Sequence, residues 1–369
     1  MSSVMGEQIK LTIFGESHGP SIGVVIDGLP AGIELDQEAI VREMKRRAPG
    51  NSKLATPRKE SDSVSIESGF FNGRTTGMAL CARIPNSNAH SKDYSKMKEI
   101  MRPGHGDYPG YVKFHGCNDY RGGGSFSGRL TAPLVFAGAV AKQLLAVRGI
   151  TVGAHVATLA GVRDRKFDPL GETAETLLET AETLLARGDE TLPVLDPSVR
   201  EAMAVRITEA QKEKDSVGGT IECMAIGLPV GLGEPYFDSV ESRLSHALFS
   251  VPAVKGIAFG DGFGLAEMRG SEANDPMTYQ DGKVVCTTNH NGGVTGGITN
   301  GMPLLFTVAV KPTPSIGKTQ HTVNVVTGEN TTLEVTGRHD PCILPRAVPV
   351  IEAVTAWTLL DLSLLAERR

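Results

Sequence analysis

Apolar and polar positions change rhythm several times along the chain, and each rhythm predicts an element. Gln8 to Asp27 alternates and is rich in Ile, Val and Thr, broken by Gly15-Glu16-Ser17-His18-Gly19-Pro20, so it reads as strand, turn, strand. Asp36 predicts the N-cap of a helix reaching about Arg47, in which Glu38/Arg42 and Glu43/Arg47 are spaced as helical ion pairs. Ser65 to Pro85 carries Gly69, Gly73 and Gly77 and predicts short strands joined by tight turns. Thr131 to Leu145 is apolar with many small residues, the signature of a buried helix, and Ile150 to Val162 reads as a strand region. Glu172 to Leu185 repeats ETAETLL, a seven-residue apolar period that predicts an amphipathic helix. Asp196-Pro197 then supplies a cap and first-turn proline for a helix reaching about Lys214.

After that helical pair the chain repeats itself. Gly227-Leu228-Pro229-Val230-Gly231 echoes Gly28-Leu29-Pro30-Ala31-Gly32, and Thr299 to Leu304 echoes Thr75 to Leu80. Arg346 to Leu360 echoes Arg129 to Leu145. The echoes keep their order at a separation of roughly 200 residues, which predicts one body spanning 1–369 with related halves at about 8–160 and 216–362. A helical insert at about 163–214 divides them. Strand sets followed by one long helix in each half predict an α+β layered sandwich; strands and helices do not alternate as a doubly wound parallel sheet requires.

Composition narrows the classes. A length of 369 residues suits one large or two ordinary domains, and 40% hydrophobic with 21% charged residues is the balance of a soluble globular protein. A net charge of −5 gives no support to general nucleic-acid binding. Five widely spaced cysteines without a C-x-x-C pair point to reduced thiols and a cytoplasmic protein. No basic-then-apolar leader and no uninterrupted run of 18 apolar residues is present, so neither secretion nor membrane insertion is expected.

Candidate chemistry concentrates in Arg102 to Leu145. Arg121-Gly122-Gly123-Gly124-Ser125-Phe126-Ser127-Gly128-Arg129 is a glycine- and hydroxyl-rich loop between arginines that runs into the apolar helix. Such a loop presents backbone N–H groups and the positive end of a helix dipole, while the guanidinium fork suits phosphate or carboxylate. His105 stands between glycines just upstream, and His18 lies between glycines in the first strand break, open either to a structural hydrogen bond or to a cleft. Arg42, Lys45, Arg46 and Arg47 form a basic run with Lys53 beyond it; dipole complementarity and anion binding both account for it. Asn289 to Gly297 offers a backbone able to approach a flat or phosphorylated ligand, and Lys311-Pro312-Thr313-Pro314-Ser315 puts a cation and two hydroxyls on a stiff loop. Gly317-Lys318-Thr319 resembles the end of a P-loop, but Pro312 occupies the place of the required first glycine. Gly337-Arg338-His339-Asp340-Pro341 precedes the last helix, where Asp340 serves either as a cap or as a proton carrier. No dinucleotide fingerprint and no zinc spacing occurs, so no metal site is expected.

Several of these motifs together resemble the chorismate synthase family: Gly15-Glu16-Ser17-His18-Gly19, Arg102-Pro103-Gly104-His105, Asp119-Tyr120-Arg121-Gly122-Gly123-Gly124, Gly260-Asp261-Gly262-Phe263, the Asn289 to Gly297 run and Gly337-Arg338-His339-Asp340-Pro341-Cys342. They cover nearly the whole chain in the family's order. The resemblance implies a β-α-β sandwich of antiparallel sheets around central helices, usually a homotetramer. It implies a lyase that converts 5-enolpyruvylshikimate-3-phosphate (EPSP) to chorismate and phosphate by anti 1,4-elimination with reduced FMN (FMNH2). By motif position it implies His18, His105 and Asp340 as catalytic groups, with Ser17, Arg47, Lys53, Arg102 and Arg129 gripping substrate anions. FMN contacts carry over to Ser125, Phe126, Ser127, Pro252, Ala253, Gly296, Lys311, Pro312, Thr313, Pro314, Ser315 and Arg338.

Some positions depart from the family pattern. Ser125-Phe126-Ser127-Gly128-Arg129-Leu130-Thr131 replaces the usual Arg-Ser-Ser-Ala-Arg-Glu-Thr, Ala48 and Lys53 stand in the basic segment, and Pro252 stands where asparagine is usual. Lysine keeps the charge but loses bidentate geometry, and Pro252 is left with a backbone contact. No insert resembles an NADPH-binding domain, so NADPH is expected only as an indirect reductant, through an external flavin reductase. On the residues alone, a different flavin or phosphosugar enzyme and a non-catalytic anion-binding protein are the alternatives.

Overall fold

Two antiparallel sheets face each other across a layer of helices. In the computed structural model the described residues are 3–50, 54, 62–86, 96–178, 192–335 and 340–368. The first sheet comprises β1 (Val4–Met5), β2 (Lys10–Gly15), β3 (Ser21–Asp27), β4 (Ser65–Ser68) and β5 (Leu80–Pro85), in the order β1-β2-β3-β5-β4. The second comprises β6 (Thr151–Leu159), β7 (Val162–Arg163), β8 (Gly219–Ile226), β9 (Val254–Phe259) and β10 (Leu304–Val310), in the order β9-β10-β8-β6-β7. Every neighbouring pair in both sheets is antiparallel.

The longer helices are α1 (Gln37–Arg47), α2 (Asp107–Lys113), α3 (Thr131–Ala146), α4 (Arg200–Lys212), α5 (Val240–Leu248) and α6 (Leu344–Ala366). Asp36 caps α1 as expected, its carboxylate accepting from the Ala39 N–H at 3.0 Å. Helices α3 and α6 are apolar on almost every side because both lie between the sheets, with Phe136, Val140, Trp357 and Leu360 fully enclosed. They cross closely at Gly138, where a Cβ would stand only 2.2 Å from the Ala353 Cβ. Length and apolarity alone would let Leu344–Ala366 cross a membrane, yet it is the buried core helix here.

One ionic network sits inside this layer. Glu352 of α6 receives Arg46 at 2.6 and 2.8 Å, Lys142 at 2.6 Å and the Ala154 N–H at 3.1 Å. Burial works against its charge, but Arg46 and Lys142 outweigh that and bring Glu352 down to about 2. Arg46, one of the cations in the basic run, is therefore a core residue.

One further placement differs from the sequence picture. The strand Thr151–Leu159 pairs with Gly219–Ile226, so it belongs to the second sheet. Within the insert, residues 174–178 are helical, and the rest of the predicted helix to Leu185 lies outside the described residues. Phe167 and Leu177 pack against Met224 and Leu305, which fixes the insert to the second sheet. At the start of the insert Asp164 joins a buried bridge, in which His155 of β6 meets Asp164 at 2.8 Å and Glu222 of β8 at 3.0 Å. Cys81, Cys117, Cys223, Cys286 and Cys342 are all free thiols.

Candidate active site

A cavity of about 560 Å³ opens where the N-terminal ends of α3 and α6 meet the C-terminal end of α1. That volume suits a drug-sized ligand. Two helices of 16 and 23 residues thus turn their positive dipole ends toward one space. Loops 102–106, 249–255 and 311–315 complete the wall.

The triple glycine shapes one side of it. Gly122, Gly123 and Gly124 have φ of 59°, 85° and 53°, three successive left-handed residues that side chains rarely tolerate. Space is as restrictive as conformation: a Cβ on Gly122 would stand 2.5 Å from the His18 ring, and one on Gly124 would stand 2.0 Å from the Asp119 carbonyl oxygen. His18 and Ser17 are buried behind Gly122, one layer from the cavity lining. The loop ends in Ser127, whose hydroxyl accepts from the Arg129 N–H.

Three guanidiniums also gather at this cavity. Arg47 donates to Asp62, to Thr131 Oγ1 at 3.1 Å and to the Gly128 carbonyl at 3.3 Å. Arg129 donates to the other oxygen of Asp62, to Asn86 Oδ1 at 3.1 Å and to the Pro85 carbonyl at 3.2 Å. Arg346, in the first turn of α6, bonds Asp340 at 2.7 Å and the Arg47 carbonyl at 3.0 Å. Burial, joined by the charges of Arg346 and Arg129, lowers Arg47 to about 10, while Asp62 opposes the change. Among the described residues these three guanidiniums meet the carboxylates of Asp62 and Asp340. Burial raises Asp62, but Arg47 and Arg129 outweigh it and hold the carboxyl below its ordinary value.

His105 and Arg102 meet a third carboxylate that sequence reasoning missed. Asp107 receives His105 Nδ1 at 2.6 Å and the Arg102 fork at 2.7 and 2.8 Å. Arg102 also donates to Ser315 Oγ at 3.1 Å. The fork that would suit a substrate carboxylate is thus engaged within the protein.

The structure brings most of the expected residues to this cavity. Arg47, Arg102, His105, Arg129 and Asp340 line it, as do Ser125, Phe126 and Ser127. So do Pro252, Ala253, Lys311, Thr313, Pro314 and Ser315. Ala253 has φ of 75°, strain of the kind that collects at ligand sites, and its carbonyl accepts from the Lys311 N–H at 2.9 Å. Lys311 also donates from Nζ to the Gly104 carbonyl. Thr313 Oγ1 is a buried oxygen without a partner among the described residues, the position of a group awaiting a ligand.

Pro312 is exposed and, with Gly296, lies off the cavity wall; Lys53 and Arg338 lie outside the described residues. Gly296 turns a hairpin between Val294–Thr295 and Ile298–Thr299, open to solvent. The rest of the Asn289 to Gly297 run packs on other backbone: a Cβ on Gly292 would stand 2.4 Å from the Gly260 nitrogen. Asp62, Asp107, Asn86 and Arg346 are the contributors missed. Arg346 had a signal, because its segment echoes the one that begins at Arg129 and both open a central helix.

Two helix N-termini and three guanidiniums converge on one space that His105 also lines. An α+β sandwich built this way defines an enzyme for a small anionic substrate. The family model for chorismate synthase matches residues 9–364. A chorismate synthase of Dehalococcoides mccartyi is 46% identical over 366 residues, covering 99% of this chain and 98% of that protein. One of Chitinophaga pinensis is 48% identical over 363 residues, covering 98% and 97%. A crystal structure of chorismate synthase superposes with a TM-score of 0.72 at 27% identity, covering 98% of this chain and 93% of that one. The chain belongs to the chorismate synthase family of enzymes, which form chorismate in aromatic biosynthesis.

Proposed function

We propose that the cavity binds EPSP beside reduced FMN and that the protein releases phosphate and a proton by anti 1,4-elimination to give chorismate. The observation that carries this reading is the convergence of Arg47, Arg129 and Arg346 with two helix N-termini on one cavity that also holds His105. A substrate with a phosphate and two carboxylates matches that charge, because fixed donors aimed at a departing anion favour its departure. Reduced FMN, when bound, supplies transient electron density that helps phosphate leave and a ring nitrogen that takes the proton. The partnerless Thr313 hydroxyl, the Lys311–Ser315 loop and the glycine-bounded loop Ser125–Ser127 are the residues suited to hold it.

The chain's own groups then have distinct tasks. Arg47 and Arg129 grip the substrate anions, exchanging Asp62 for ligand oxygens. His18 reaches the departing phosphate across Gly122, where the missing Cβ leaves the imidazole close to the loop surface. His105 would exchange a proton at the cavity wall, and Asp340 would relay it onward; histidine is the commonest residue for such proton transfer. Arg102 contributes by holding the wall, since its fork is turned to Asp107. The same reading treats the chain as one domain with two related halves, working in the cytoplasm as a homotetramer. An external reductase or reductant delivers FMNH2, with NADPH acting only indirectly.

An anaerobic assay with reduced FMN and EPSP, followed by chorismate absorbance, tests the reading. Turnover with stoichiometric phosphate release is expected, and its absence from folded protein overturns the proposal. Flavin reduction by the pure protein with NADPH alone would overturn the external-reductant part.

A further inference from the structure

Asp107 is the first residue of α2 and is only 7% exposed, although it is charged and borders an open cavity. Its two oxygens receive four donors. Oδ1 takes His105 Nδ1 at 2.6 Å and Arg102 Nη2 at 2.8 Å. Oδ2 takes Arg102 Nε at 2.7 Å and the Arg102 N–H at 3.1 Å. Burial opposes its charge, but hydrogen bonds from His105 and Arg102 hold the carboxyl well below the usual range.

Two neighbours compete for His105 Nδ1, the Asp107 carboxylate and the Arg102 guanidinium. Arg102 Nη2 also lies 3.2 Å from Nδ1, so an acceptor role for Nδ1 is the competing assignment. In that arrangement no hydrogen would lie between Nδ1 and Asp107 Oδ1, and two acceptors would be pressed together at 2.6 Å. An Nδ1–H donor would instead make a short charge-assisted bond to Oδ1, and the 2.6 Å separation is the observation that favours it. Nε2 is then the nitrogen turned to the triple-glycine loop, where a Cβ on Gly123 would stand 3.1 Å from it.

We propose that Asp107 is a positioning residue: by holding Nδ1–H it fixes the tautomer and ring plane of His105, so that Nε2 is the nitrogen offered to the cavity. The inference rests on the reading that His105 exchanges a proton in the reaction. One proton enters or leaves at Nε2 while Asp107 keeps its charge.

The test is a double-mutant cycle read in the anaerobic chorismate assay. Asp107→Asn is expected to lower turnover roughly 10²–10⁴-fold. In a His105→Ala background the same change should cost less than about threefold, because nothing remains to be positioned. An equal loss in both backgrounds overturns the proposal, since Asp107 would then act through Arg102 or the fold. If Asp107→Asn does not fold, the ¹⁵N spectrum of histidine-labelled wild-type protein decides: an Nδ1–H signal that disappears in His105→Ala supports the assignment, and an Nε2–H signal overturns it. That spectrum needs no turnover, so a wild-type protein that forms no chorismate would sink the functional reading while leaving the tautomer to be judged separately.

Discussion

Arg46 and Arg47 are adjacent at the end of α1 and serve opposite ends of the molecule's chemistry. Arg46 turns inward and binds Glu352 at 2.6 and 2.8 Å, while Arg47 turns to the cavity and binds Asp62. One helical step of about 100° separates a core cation from a site cation.

Removing the charge of Glu352 should therefore harm stability more than binding. Glu352→Gln leaves Arg46 and Lys142 buried with less compensation, a loss of about 3–5 kcal/mol at neutral pH by urea unfolding. The carboxyl is lowered from 4.5 to about 2 on folding, so its contribution is complete above 4.5 and is lost as pH falls toward 2. The gap between variant and wild type should shrink when the titration is repeated near pH 3. A gap independent of pH would mean that the carboxylate charge contributes nothing there.

Asp62 is shared by Arg47 and Arg129 and so occupies the place of a ligand anion. Asp62→Asn should lower the melting temperature of the free protein, because two buried guanidiniums lose their common charge. Inorganic phosphate at fixed ionic strength should then raise the variant's melting temperature more than the wild type's. Equal shifts would place the phosphate elsewhere.

Gly122 separates the cavity from His18 by the width of one backbone. Gly122→Ala puts a Cβ where the imidazole ring now lies, 2.5 Å away, and forces a left-handed φ of 59° on a residue that resists it. A stability loss of about 1–2 kcal/mol is expected, with turnover falling by roughly 10²-fold or more as His18 is displaced. Chorismate formation at saturating substrate is the measurement, and a near-normal rate would remove His18 from the reaction.

Local signals were the ones the sequence made readable. Asp36 with the periodic run to Arg47, the small-residue helix from Thr131 and the glycine loop all depend on neighbours in the chain, and each lies where its pattern placed it. Long-range partners were not readable. The inward turn of Arg46 depends on Glu352, 306 residues away, and nothing near Asp62 announces that two arginines will converge on it. The glycines from Asn289 to Gly297 do mark a close approach, but what approaches Gly292 is the backbone at Gly260. Composition cannot tell a ligand from another loop. Asp107 was the readable omission, because it stands two residues from His105 and five from Arg102 at a helix start.

The buried bridge from His155 to Asp164 and Glu222 gives a pH signature of opposite sign to that of Glu352. Burial lowers the histidine, but its hydrogen bonds to Asp164 and Glu222 outweigh it, so the folded value lies above the ordinary 6.5. Stability from this imidazolium is complete below 6.5 and declines as pH rises through the folded value. It ties β6 to β8 and to the insert, where Asp164 also accepts the Leu195 and Asp196 N–H groups at 2.6 and 2.9 Å. His155→Gln should cost about 2–4 kcal/mol near pH 6 and progressively less toward pH 9. Amide exchange at Leu195 and Asp196 should accelerate before exchange in α3 and α6, because those amides lose their acceptor's anchor while the central helices keep their packing. A stability difference unchanged from pH 6 to pH 9 would mean that His155 folds uncharged, and the two carboxylates would then have to share the imidazole without its proton.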